Sequence, residues 1–150
     1  MKNTLPRNSL IADGGFWVAL GNKKDRYHEA AITALDTFEN SAFVVTWPVI
    51  AEASHLLYNR VDFQAQLLFW HNIEQGGADI FHLDEAHHLS RVRELMLKYR
   101  DLPMDLADAS LVILAEELGH GRILSTDERD FNSYRWKNRE PFENLLLPNT

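Results

Sequence analysis

The stretch Leu10-Ile11-Ala12-Asp13-Gly14-Gly15-Phe16 decides the fold. Apolar residues that suit a buried strand end on an acid, two glycines turn the chain, and an aromatic residue opens a stretch of helical period. The alternation continues outward from there. Short β-type runs at 9–12, 43–46, 80–83 and 122–125 are separated by helical stretches at 16–20, 27–39, 48–58, 63–74, 85–99 and 106–118. Pro48 is well placed in a first helical turn, where its missing N–H costs nothing. Strands separated by helices favour a mostly parallel sheet, because parallel neighbours need a crossover and the crossover helix buries a face of the sheet. The expectation is an α/β fold with helices on both faces. Sheets of this kind gather ligands outside the carboxyl ends of their strands. Asp13 directly follows the first strand and Asp127 comes just after the last, so both are expected at that one edge.

The 150 residues suit one domain over 1–150, and no internal repeat, low-complexity tract or Pro/Gly/Ser linker divides them. With 45% hydrophobic and 25% charged residues, the composition is that of an ordinary globular protein. No apolar run approaches the roughly 18 residues of a membrane span, and the start MKNTLPRNSL lacks the apolar core of a signal peptide. A cytoplasmic location is therefore expected. Without cysteine there is neither a disulfide nor a thiolate metal site, so any metal must be held by oxygen or imidazole. A formal net charge of -7 at first argues against a nucleic-acid partner. The excess acid is local, however: without Asp13, Glu52, Asp105, Asp108, Asp127 and Asp130 the chain is close to neutral. Carboxylates loaded with divalent cations can attract phosphate, so acidity does not exclude RNA.

Each of these acids has an ordinary structural reading beside a functional one. Asp13 reads equally as the N-cap of the next helix and as a ligand. Glu52 lies in the helix of Trp47-Pro48-Val49-Ile50-Ala51-Glu52-Ala53-Ser54-His55-Leu56-Leu57, at the border of the apolar stripe formed by Val49, Ile50, Ala53, Leu56 and Leu57. It should be half-buried, and the alternative is a solvated helix edge. In Leu102-Pro103-Met104-Asp105-Leu106-Ala107-Asp108, Asp105 reads as a helix N-cap and Asp108 as a first-turn acid, on one face of the same turn. The apolar run after Asp108 should draw it toward the core. Asp127 and Asp130 in Ser125-Thr126-Asp127-Glu128-Arg129-Asp130-Phe131 can each be explained by turn chemistry. What sharpens the functional reading is that four separate segments each deliver a carboxylate where a parallel sheet gathers its ligands. Crowded carboxylates raise one another's pKa unless a cation compensates, and all-oxygen ligand sets select hard ions such as magnesium or manganese.

The segments LIADGGFWVAL, DRYHEAA, TWPVIAEASHLL, LPMDLADASLVILAEELG and STDERDFNSYR resemble, in order and spacing and over nearly the whole chain, the PIN-domain family. More narrowly, they resemble the VapC-type toxin ribonucleases of bacterial toxin-antitoxin modules. The resemblance implies a three-layer α/β/α sandwich and hydrolysis of RNA with one or two magnesium or manganese ions. It implies Asp13, Glu52, Asp108 and Asp127 as the catalytic acids, with Asp130 an additional acid and Asp13, Asp108 and Asp127 as direct metal ligands. Glu52 would serve a second ion or position the attacking water. One position departs from the family pattern: Gly14 stands where Ser or Thr is usual, so a hydroxyl that would order water or the loop is missing.

Arg129, Arg135, Trp136 and Lys137, with Arg139, form a basic, aromatic stretch that reads either as an RNA-binding strip beside the acids or as a solvated tail. Phe63, Leu67, Leu68 and Trp70, with Leu56 and Leu57, read as core, though the resemblance implies that part of that surface holds an antitoxin or a second copy of the chain. No histidine pair has the helical spacing of a metal site, and His28, at a recurrent family position, reads as a cap or surface residue. No organic cofactor is expected, because the nucleotide-binding glycine patterns are absent. Two rival classes remain. A phosphoacceptor receiver would carry paired acids after its first strand and a Lys after its last, and this chain has neither. A binding module that kept the fold and lost catalysis has Gly14 as its one argument.

Overall fold

A computed structural model describes residues 8–127 and 129–147; the leading stretch and Glu128 of the last acidic motif lie outside the described residues. The chain order is β1 (Ser9–Ala12), α1 (Gly14–Gly21), α2 (His28–Thr37), β2 (Ala42–Thr46), α3 (Trp47–Arg60), α4 (Phe63–Glu74), β3 (Asp79–Phe81), α5 (Glu85–Lys98), α6 (Leu106–Leu118), β4 (Arg122–Leu124), α7 (Asp130–Ser133), β5 (Arg135–Trp136), β6 (Glu140–Pro141) and β7 (Glu143–Asn144). β3-β2-β1-β4-β7 form a five-stranded sheet in which every pairing is parallel, and β5 and β6 make a separate antiparallel hairpin. The crossovers run from β1 outward to β3 and then return across the sheet to β4. With one handedness of crossover, that reversal covers both faces with helices and gives an α/β/α sandwich.

The apolar runs explain the order of burial. All four residues of β1 are buried, as expected of a central parallel strand covered on both faces. α6 is buried continuously from Ala109 to Ala115, its start fixed by the Asp105 cap and its end by Gly119 in the left-handed region at φ 77. Thr46, at the carboxyl end of β2, shares a hydrogen bond of 2.7 Å with Ser110 and ties α6 to the sheet. These contacts place the first turn of α6 at the edge where β1 and β4 end.

α4 differs from the expectation. Phe63, Leu67, Leu68 and Trp70 are all exposed by a third or more of their surface, while Phe69, Ile73 and the partly covered Ala65 face inward and Leu57 of α3 is fully buried. A helix of just over three turns that packs mainly on α3 buries one narrow stripe, and the inward positions 65, 69 and 73 use it up. The polar tip of Trp70 still reaches inward, its indole N–H donating to Ser54 Oγ at 2.9 Å. α7, the hairpin and β7 have no counterpart in the expected elements.

Candidate active site

The strand order reverses between β1 and β4, the place where open α/β sheets open a crevice for ligands. A cavity of about 340 Å³ lies there, and Asp13, Glu52, Asp105, Asp108, Asp127 and Asp130 all line it. Numbered within the sheet alone, the strand order is 3-2-1-4-5. A receiver domain has the order 2-1-3-4-5, so the topology speaks against that rival.

Each acid reaches the cavity by a local route. Asp13 ends β1, its backbone N–H still donating to Leu124 O of β4 at 3.1 Å. It caps α1 by accepting from Phe16 N at 2.9 Å, and its other carboxyl oxygen accepts from Ser125 Oγ. Burial lifts the Asp13 carboxyl to about 6 against the pull of the Ser125 and Phe16 hydrogen bonds. Glu52 comes from the second turn of α3 and is half-buried. Burial first, then the charges of Asp105 and Asp13, lift its carboxyl to about 7. Asp108 sits in the first turn of α6 and accepts from the buried Tyr134 hydroxyl at 3.2 Å. Burial and then Asp105 raise it to about 7, and the Tyr134 hydrogen bond opposes them. In turn, burial and the charge of Asp108 hold the Tyr134 phenol in its protonated form.

Asp105 caps α6 by accepting from Asp108 N at 2.8 Å, yet it also faces the cavity and bears on both Glu52 and Asp108. Asp127 opens the turn into α7, accepting from Asp130 N at 2.8 Å and Arg129 N at 3.1 Å. The Asp130 carboxyl is raised by burial and by Asp127. Its Oδ1 is buried and accepts no hydrogen bond among the described residues, with Arg129 Nε 3.6 Å away. The donor set is therefore carboxylate oxygen with nearby hydroxyls, suited to a hard cation. No histidine lines the cavity. Among the described residues, no three acidic or histidine side chains stand in a ready-made metal cluster.

At Gly14 a Cβ would lie 2.4 Å from Glu52 Oε1, the end of a flexible side chain, so a larger residue there would make the Glu52 carboxyl shift. At Gly15 the corresponding space is taken by Thr126 Oγ1. Hydroxyls thus come to this corner from the end of β4, from Ser125 and Thr126. Neither residue, nor Tyr134, was singled out by the sequence pattern, because an isolated hydroxyl at a strand end carries no period or spacing.

The basic stretch divides. Arg129 adjoins the cavity, its Nε 3.6 Å from Asp130 Oδ1, and Arg135 Nη1 donates to the carbonyls of Asn132 and Tyr134, while Trp136 and Lys137 fold to the opposite end of the sheet. There the Trp136 indole lies over Gly121 at the start of β4, and Lys137 N donates to Glu116 Oε2 at 2.6 Å. Glu116 lies about 12 Å along α6 from Asp108. The expectation that Trp136 and Lys137 border the acids is corrected: Glu116, itself gripped by Arg91 at 2.7 and 3.0 Å, captures the hairpin turn. His28 is a cap, its ring Nδ1 2.7 Å from the carbonyl of Ala19 near the end of α1.

No family model matches the chain. In sequence it is 27% identical over 126 residues to Ribonuclease VapC26 of Mycobacterium tuberculosis, covering 84% of this chain and 92% of that protein. In structure it resembles Mycobacterium tuberculosis VapC20, described as a sarcin-ricin loop cleaving toxin, with a TM-score of 0.70, 19% identity, and coverage of 80% of this chain and 91% of the other. In its sequence this chain is thus similar to a VapC ribonuclease, and its all-parallel sheet with acids at the switch point shares the fold of a VapC toxin.

Proposed function

We propose that this protein is an endoribonuclease, the toxin of a toxin-antitoxin module, which hydrolyses RNA phosphodiesters at the acid-lined cavity with magnesium or manganese. The observation that carries this is the convergence of all six motif acids on one cavity at the sheet's switch point. The sequence relative, named a ribonuclease, supports the substrate class.

Asp13, Asp108 and Asp127 would hold the ion. A bound divalent cation lowers the pKa of its water and stabilises charge on the leaving oxygen. The chain's own groups do the rest. Glu52, with a carboxyl near neutrality, can take up or release a proton at Oε within the cavity. Ser125 and Phe16 N fix the Asp13 carboxylate, and Tyr134 fixes that of Asp108. Of the basic stretch, Arg129 beside Asp130 and Arg135 beside Tyr134 would meet RNA there. The exposed apolar face of α4 suits an antitoxin or a second copy of the chain. No helix among the described residues is long and apolar enough to cross a membrane.

The test is cleavage of RNA by the purified protein with magnesium or manganese, with and without chelator. The expected result is cleavage that stops on chelation; cleavage that survives it overturns the metal-dependent reading. A binding module without catalysis would bind RNA and leave it intact under both conditions.

A further inference from the structure

We propose that Arg60 is a phosphate-binding residue of the RNA site, taking a phosphate of the bound strand next to the one the acids address. This rests on the ribonuclease reading above. Arg60 closes α3 and is, among the described residues, the only cation that lines the acid cavity. It is exposed, and its guanidinium makes no hydrogen bond or ion pair among the described residues, although its field reaches Glu52 and draws that carboxyl down. A guanidinium beside six carboxylates that pairs with none of them is open to another anion.

Helical geometry sets its position. Glu52, Leu56 and Arg60 follow one another at four-residue steps, each drifting about 40° around α3, and all three line the cavity. Glu52 and Arg60 are about 12 Å apart along the axis, with apolar Leu56 between them. The arginine stem closes part of that distance, so its charge falls beside the acids and not among them. An RNA strand that presents one phosphate to the acids must carry its next phosphate through a strongly negative field. A planar fork of donors at that point offsets the repulsion and matches the phosphate oxygens in pairs. The competing role, a basic last-turn residue that merely complements the helix dipole, predicts no effect on RNA at all.

Arg60→Gln and Arg60→Lys are compared with the wild type in two measurements. Steady-state cleavage of a short single-stranded RNA with manganese is followed over a series of potassium chloride concentrations. RNA binding is read separately by fluorescence anisotropy in an Asp108→Asn background, which removes cleavage from the readout. Arg60→Gln should raise KM about tenfold with kcat within about twofold. The slope of log affinity against log salt should become shallower by about 0.7, the value for one phosphate contact on a single strand. Arg60→Lys should restore the slope and only part of the affinity, since it keeps the charge and loses the fork. If the wild type cleaves RNA while Arg60→Gln keeps its KM and salt slope, the proposal falls and the ribonuclease reading stands; an Arg60 that serves a partner protein's carboxylate gives that same result. If the wild type neither cleaves nor binds RNA, both fall.

Discussion

α6 carries a half-buried acid near one end and a largely buried one near the other, and the two live in opposite surroundings. Glu116, 17% exposed, is held by both nitrogens of the Arg91 fork and by the backbone N–H of Lys137. Asp108 accepts from the Tyr134 hydroxyl, a neutral donor, and faces Asp105 and Glu52. Charge is balanced at the amino edge of the sheet and left unbalanced at the carboxyl edge. An acid whose partners are all present is part of the scaffold. A cluster of acids that raise one another's pKa values is, on the proposed reading, where a cation would offset the repulsion.

Substituting each acid by its amide tests this contrast. Asp108→Asn should lower RNA cleavage by more than about a hundredfold, because it removes charge from the ligand set, while the fold stays intact by circular dichroism. Glu116→Gln should do the reverse: cleavage per folded molecule stays within about twofold, and urea denaturation shows a loss of ~1–3 kcal/mol as Arg91 loses its charged partner. The sites are far enough apart that their effects should add. Equal loss of cleavage in both variants would show that the two ends of α6 are not separable.

The imbalance should also appear as a dependence of stability on pH. In the unfolded chain these carboxyls titrate at about 4. In the folded chain Asp13 titrates at about 6, and Glu52 and Asp108 at about 7. Between those limits the folded state holds more protons, so the metal-free protein should lose stability as pH rises from about 4 to 7 and lose no more above that. Manganese should counter the loss, with a larger rise in melting temperature at pH 8 than at pH 5, where protons compete for the same oxygens. At a hundredfold excess over Kd the gain is ~2.7 kcal/mol. Melting curves unmoved by manganese at both pH values would mean that the cavity holds acids and no ion site.

The same contrast shows how much could be read in the sequence. The carboxyl edge was legible because its acids sit at the ends of apolar strands and in first helical turns, where residue type and position coincide. Arg60, Ser125 and Tyr134 were not, since each is an ordinary residue at its own position and gains meaning only from neighbours far along the chain. The amino edge was misread for a related reason. The path of the hairpin depends on Glu116 and Arg91, and on a turn with Lys137 at φ 51 and Asn138 at φ 61, of which only Asn favours the left-handed region. β7, with Glu143 and Asn144 as its whole length, has no apolar run to reveal it. On α4, four large apolar side chains suggested core, but a helix on the outside of the sandwich has room for one buried stripe.

Asp105 lies on the boundary between scaffold and site, and it should produce the smallest effect. Its carboxylate accepts from Asp108 N at 2.8 Å as the N-cap of α6, and it also stands beside Glu52 and Asp108 in the cavity. An N-cap requires an acceptor, which Asn supplies about as well as Asp, whereas an ion ligand requires charge. Asp105→Asn should therefore keep most of the cleavage. By removing one repelling charge, it should also bring the Glu52 and Asp108 carboxyls down toward the ordinary range, so that the cleavage-pH profile moves to lower pH. Asp105→Ala removes the acceptor as well and should lose ~1 kcal/mol in urea denaturation, with the pH profile shifted in the same direction. If Asp105→Asn abolishes cleavage as completely as Asp108→Asn, Asp105 belongs to the ligand set and its capping bond is secondary. If it leaves the pH profile in place, the repulsion between Asp105 and its neighbours is already screened by solvent at the cavity mouth, and the imbalance at this edge lies deeper, between Asp13, Glu52 and Asp108.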